Sequence, residues 1–152
     1  MKLSSNFELD EFLRSETAAR MGRLITDPPQ EVIDNLAELC INILEPARSL
    51  CGNRAVTPLS GYRPRWLNHL VGGANDSDHI LGGAADIRVF GLTPLEVCTT
   101  IAHSDLPFRQ LILEFGAWTH ISKPRNGEVP RREVLTAKKV GGRTIYEQGI
   151  QP

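Results

Sequence analysis

An aspartate inside an apolar run sets the first condition on any fold this chain can adopt. Ala84-Ala85-Asp86-Ile87 reads as a buried strand, and a lone carboxylate there is costly unless it is paired, hydrogen-bonded or bound to a cation. His79 stands seven residues earlier, in Ser77-Asp78-His79-Ile80-Leu81-Gly82-Gly83, where small residues leave room for backbone and a metal to crowd together. A second imidazole, His120, sits in the apolar strand Trp118-Thr119-His120-Ile121-Ser122. Two imidazoles and one carboxylate with an open position is the composition of catalytic zinc. On the residues alone a plainer reading stays open, in which each His is a satisfied core histidine and Asp86 caps a turn.

The rest of the chain limits what surrounds these residues. Its 152 residues, 41% hydrophobic, suffice for one domain with a single core. We take 1–152 as that domain, with an N-terminal helical segment at 1–27 and a C-terminal hairpin at 130–152 inside it. The 17 Lys+Arg against 18 Asp+Glu leave a net charge of -1, so no basic excess exists to neutralise a phosphate backbone and nucleic acid is not expected as a partner. The apolar run 39–44 is broken by Asn42 and falls far short of the roughly 20 residues of a membrane span. Met1-Lys2-Leu3-Ser4-Ser5-Asn6 leads into no signal-peptide core, which predicts a protein made in the cytoplasm. Cys40, Cys51 and Cys98, odd in number and without metal spacing, read as reduced core thiols.

Periodicity predicts the elements. Asn6 is a candidate N-cap for a short helix over 6–13. Val32, Ile33, Leu36, Leu39, Cys40, Ile43, Leu44, Ala47 and Leu50 keep helical spacing, disturbed near Pro46 and ended by Gly52. Strands are expected at 55–59, 84–89, 110–114 and 118–122, with a capped helix from Thr93 to about His103 and a hairpin around Gly141-Gly142. Without a βαβ rhythm this is α+β, a small antiparallel sheet flanked by helices. A straight strand would hold Glu114 roughly 20 Å from His120. A three-residue loop, Phe115-Gly116-Ala117, instead sets Glu114 opposite Trp118 and makes His120 its same-face diagonal neighbour at about 7–8 Å.

Ser77-x-His79-x-x-Gly82-x-Ala84-x-Asp86, preceded by Ser60-Gly61-Tyr62-Arg63-Pro64 and followed by Trp118-x-His120, resembles the zinc D-Ala-D-Ala carboxypeptidase family. That group includes D,D-dipeptidases, phage peptidase endolysins and the Hedgehog-like fold. Asn68, Val71-Gly72-Gly73-Ala74, Gln110-Leu111-Ile112-Leu113-Glu114 and the stretches 132–137 and 141–146 resemble its short, single-domain branch from phage and prophage genomes. The resemblance implies one zinc per chain, held by His79, Asp86 and His120. It implies that Arg63 polarises the scissile carbonyl and that Ser77 lies near substrate and metal. On the residues alone, Arg63 also reads as a surface charge beside a turn proline and Ser77 as a turn hydroxyl. Many members carry an acid three positions before the last His, others a His two before it; here those positions are Ala117 and Trp118. Glu114 aligns with an acidic position of the short branch and is the candidate general base; its alternative is an exposed strand-end residue. His69 and His103 are expected at the surface, Trp66 and Phe108 in packing.

The implied function is zinc-dependent cleavage of peptidoglycan stem peptides, at D-Ala-D-Ala or a link such as L-Ala-D-Glu, by a monomeric phage or prophage lysin that reaches the wall when a holin releases it. The alternative is a non-catalytic phage structural or wall-binding module that retains the zinc site for stability.

Overall fold

Alternation along three central strands separates a face packed against helices from the face that carries the polar residues. The computed structural model describes residues 1–152. In chain order its elements are β1 (Lys2–Ser4), β2 (Phe7–Glu8), α1 (Glu16–Arg20), α2 (Gln30–Leu39), α3 (Glu45–Leu50), β3 (Val56–Ser60), α4 (Arg65–Leu70), β4 (Ala84–Val89), α5 (Pro94–Ala102), β5 (Gln110–Glu114), β6 (Trp118–Ser122), β7 (Glu133–Val140) and β8 (Arg143–Gln148). A six-stranded sheet runs β3-β4-β6-β5-β7-β8. Ala85, Ile87, Leu111, Leu113 and Ile121 point to one face, where they pack with Leu36, Leu39, Ile43, Leu44, Val97 and Ile101 of the helices in one core cluster. Period two then puts Asp86, Ile112, Glu114, Trp118 and His120 on the other face.

Residues 30–50 form one helical run with a defect where the sequence requires it. Pro46 can neither donate to the helical ladder nor tolerate the carbonyl four residues back. The turn before it, Cys40–Leu44, is wound as a π-helix, which re-spaces the carbonyls around the proline. The run ends at Cys51 and Gly52, whose φ of 82° is left-handed. Thr93 caps α5, accepting from the Glu96 backbone while Glu96 accepts from Thr93 N–H. Cys40, Cys51 and Cys98 are free and buried, as expected of core thiols.

Three expectations need correction. The N-terminal segment opens as a two-stranded antiparallel ribbon, β1 with β2, and is helical only at Leu9–Phe12 and α1. Asn6 caps no helix, because Glu45 captures its backbone N–H at 2.7 Å and its side-chain amide at 2.8 Å. The sheet is mixed, since β5 and β7 run parallel. Both edges of β6 are occupied, by β4 and β5, so the chain crosses over residues 123–132 and starts β7 beside the N-terminal end of β5. Arg132 pins that crossover: its guanidinium donates to the carbonyls of Leu106 at 3.0 Å and Ser104 at 2.6 Å and lies over the Phe108 ring.

Candidate metal centre and its cleft

The strand register assembles the site. Antiparallel β4 and β6 place Asp86 directly across from His120, and β5 with β6 pairs Ile112 with His120 and Glu114 with Trp118. The connecting loop is the three-residue one, with Phe115 at φ 56° and Gly116 at φ 64°. Glu114 therefore shares a face with His120, and its Oε1 lies 3.9 Å from His120 Nδ1.

His79 enters from the turn before β4. Its Nδ1 is 2.7 Å from the Gly61 carbonyl, an acceptor only, so Nδ1 carries the proton and Nε2 is left with a lone pair. That Nε2 stands 3.4 Å from Asp86 Oδ1, while His120 Nδ1 stands 3.0 Å from the same oxygen. The two rings meet edge-on with centroids 5.1 Å apart. All three residues are buried, and their ligand atoms lie within 4.8 Å of one another. Two imidazoles and a carboxylate, with the His79 ring steered by a carbonyl behind it, fit a zinc ion that keeps an open position and takes the place of any proton on His120 Nδ1.

The surroundings polarise these groups strongly. Burial pushes Asp86 up, but the His79 and His120 rings outweigh it and hold the carboxyl well below the usual range. Burial pushes the His79 imidazole down, and the adjoining Asp86 only partly offsets it. His120 suffers the same burial, yet its hydrogen bond and charge contact with Asp86 raise it. Glu114 is pushed up to about 6, first by burial and then by the charge of Asp86.

The small residues of the His79 turn serve a neighbour other than metal. Gly82 has φ 75°, and a Cβ there would sit 2.7 Å from the Val32 carbonyl oxygen on α2. The glycine lets the turn lie flat on that helix, which fixes where His79 emerges. Ser77 accepts from His79 N–H at 3.3 Å and also lines the cleft, so the turn hydroxyl and the cleft residue are the same group. Arg63 donates its backbone N–H to the His79 carbonyl at 3.0 Å, and its Nη1 to Asn68 Oδ1 at 3.1 Å. It is half-buried, its charge opposed by burial and favoured by Asp86 and Glu114. His69 and His103 are exposed, Phe108 is fully buried and Trp66 half-buried.

Sequence reasoning missed the group beside His79. Asp78, buried, accepts from Arg109 Nη1 and Arg125 Nε, both at 2.9 Å, and Arg109 Nε donates to Glu128 at 2.9 Å. This lattice ties the His79 turn to β5 and to the loop after β6. Its only sequence signal is a charge next to a candidate ligand, because the partners lie 31 and 47 residues away. Trp118 Nε1 is buried without a hydrogen-bond partner. The metal triad, Arg63 and Glu114 open on a cleft of about 970 Å³ that spans the free face of the sheet from Leu59 to Tyr146.

A family model described as peptidase M15 matches residues 5–122. The chain belongs to the peptidase M15 family. No curated protein matches it. The M15 match contains Arg63, Ser77, His79, Asp86, Glu114 and His120, and it stops at the end of β6, before β7 and β8. Membership in this zinc-dependent peptidase family makes the protein a metallopeptidase acting on peptide, and His79, Asp86 and His120 are its candidate metal ligands. No helix is long and apolar enough to cross a membrane.

Proposed function

We propose that the protein hydrolyses peptide bonds in the stem peptides of bacterial peptidoglycan, at D-Ala-D-Ala or a neighbouring link such as L-Ala-D-Glu, as a monomeric lysin of phage or prophage origin. It would be made in the cytoplasm and act at the wall once a holin releases it. One observation carries the catalytic reading: an acid, Glu114, sits 3.9 Å from a candidate ligand nitrogen of His120, although the positions where relatives keep their base hold Ala117 and Trp118. His79 Nε2, Asp86 Oδ1 and His120 Nδ1 would hold zinc, which when bound supplies Lewis acidity toward a carbonyl oxygen and toward water. Glu114 Oε1 takes the proton of the attacking water and returns it to the leaving amine nitrogen, a task suited to a carboxylate raised to about 6. Arg63 keeps N–H groups beyond the one given to Asn68 and donates them to the carbonyl oxygen as charge develops there. Meanwhile the Gly61 carbonyl holds the proton on His79 Nδ1.

The test is digestion of purified peptidoglycan by the zinc-loaded protein and its Glu114→Gln variant. The variant is expected to bind zinc with parental stoichiometry and to digest roughly 10²–10⁴ more slowly. An equally active variant removes Glu114 from the chemistry. A zinc-loaded parent that leaves both peptidoglycan and isolated stem peptides intact favours the non-catalytic wall-binding module.

A further inference from the structure

The cations of the cleft are unevenly spent. At the end near the His79 turn, Arg109 and Arg125 are held by Asp78, and Arg109 and Arg131 by Glu128, so each of these three guanidiniums already faces a carboxylate of the protein. At the other end stands Arg88, on β4 and on the same face as Asp86 two residues before it. One position beyond the Ile87 and Thr119 pair, it lies next to Trp118. Its Nε donates to the Ala117 carbonyl at 2.9 Å, which fixes the plane of the guanidinium on the loop following Glu114. Both terminal NH₂ groups are left for a further partner, and no carboxylate comes within the 4.0 Å of an ion pair. Arg88 is exposed and lines the cleft. An oriented fork with two free donor groups is the geometry that recognises a carboxylate. Alternate residues of a strand are about 7 Å apart, a span that an extended peptide covers in about two residues.

We propose that Arg88 reads a free carboxylate on the substrate peptide, borne within about two residues of the bond that is cut. The inference rests on the peptidase reading above and adds the chemical group that the site selects. A substrate read in this way lies with its carboxylate toward β3 and β4, where Arg88 stands.

Two stem peptides that differ only in one group near the scissile bond, a free carboxylate against its carboxamide, make the test. With zinc-loaded parent, Arg88→Gln and Arg88→Lys, kcat/KM is measured for both peptides; binding to the zinc-free proteins is measured by calorimetry. The parent is expected to favour the acid about ten- to a hundred-fold, mostly in KM, the usual worth of a charge-assisted pair. Arg88→Gln should bring that ratio close to one, and Arg88→Lys should restore part of it. A shift of the Glu114 loop caused by losing the Ala117 contact slows both peptides alike and leaves the ratio unchanged. Equal rates for acid and amide in the parent overturn the inference, as does a preference that survives in Arg88→Gln. A preference lost in Lys139→Gln and kept in Arg88→Gln also overturns it, by assigning the role to another cation of the cleft. If the parent cleaves neither peptide, the peptidase reading fails and binding decides: acid selectivity that disappears in Arg88→Gln upholds Arg88, and no selectivity overturns it.

Discussion

Arg63 and Glu114 divide the charge handling of the cleft, and each is set by its neighbours more than by its own chemistry. Asn68 Oδ1 takes one N–H of Arg63 and is itself tied down by Nδ2 donating to the Ala74 carbonyl at 2.9 Å. The guanidinium plane is thereby aimed before substrate arrives. Lysine keeps the charge and loses the plane, so Arg63→Lys should retain zinc and fold while turnover falls by about 10²–10³, the cost of one oxyanion donor. Parental turnover on a stem peptide would return Arg63 to the status of a surface charge. Gly82 is a second residue whose role is set elsewhere. Gly82→Ala meets the Val32 carbonyl and an unfavourable φ together. The variant should lose about 1–3 kcal/mol of stability in denaturant melts and bind zinc more weakly, because the His79 turn can no longer lie against α2. Asp86 and His120 stood out in sequence because an apolar strand cannot hide an ionisable group, while His79, in a turn, joined them as a ligand candidate through its small neighbours and the family resemblance. Asp78 was not, because the two arginines that satisfy it are distant in the chain.

At the scale of elements, strands whose two faces differ could be read directly. β4, β5, β6 and the loop between the last two appear with the predicted limits and register, since burial on one face and chemistry on the other enforce period two. The N-terminal ribbon could not be read that way. Its fate depends on Glu45, which accepts from Ser4 Oγ at 2.7 Å as well as from Asn6. Local capping rules favour Asn6 as a helix start, and a carboxylate on α3 outbids them. Burial tends to raise the Glu45 carboxyl, yet the Ser4 and Asn6 hydrogen bonds outweigh it and the net displacement is downward. A carboxyl whose folded pKa is lowered stabilises fully above its ordinary value of 4.5 and loses that contribution as pH falls through the folded value. Between pH 6 and about 3, the parent should therefore lose more thermal stability than Glu45→Gln. At pH 7 the variant should melt about 2–4 °C lower, as expected for roughly 1 kcal/mol of hydrogen bonding in a chain of this size. Parallel melting curves for the two proteins across that range would sink the assignment.

For the whole molecule, the metal centre is a fastening as much as a reactive site. His79 comes from the turn behind α4, Asp86 from β4 and His120 from β6, so an ion bound to all three joins segments that unfold apart. Zinc at a hundred times its dissociation constant should add about 2.7 kcal/mol and raise the melting temperature by about 5–10 °C. Chelation should reverse the shift and His120→Ala should abolish it; a shift that persists in His120→Ala places the metal elsewhere. The parallel pairing of β5 with β7 was the least legible part of the fold, because it depends on β6 having no free edge rather than on any pattern within β7. The C-terminal hairpin gives Leu135, Lys139, Thr144 and Tyr146 to the cleft but no metal ligand, and it lies past the residues that the family model matches. Changes in this hairpin can therefore reshape one wall of the cleft while leaving every candidate metal ligand in place.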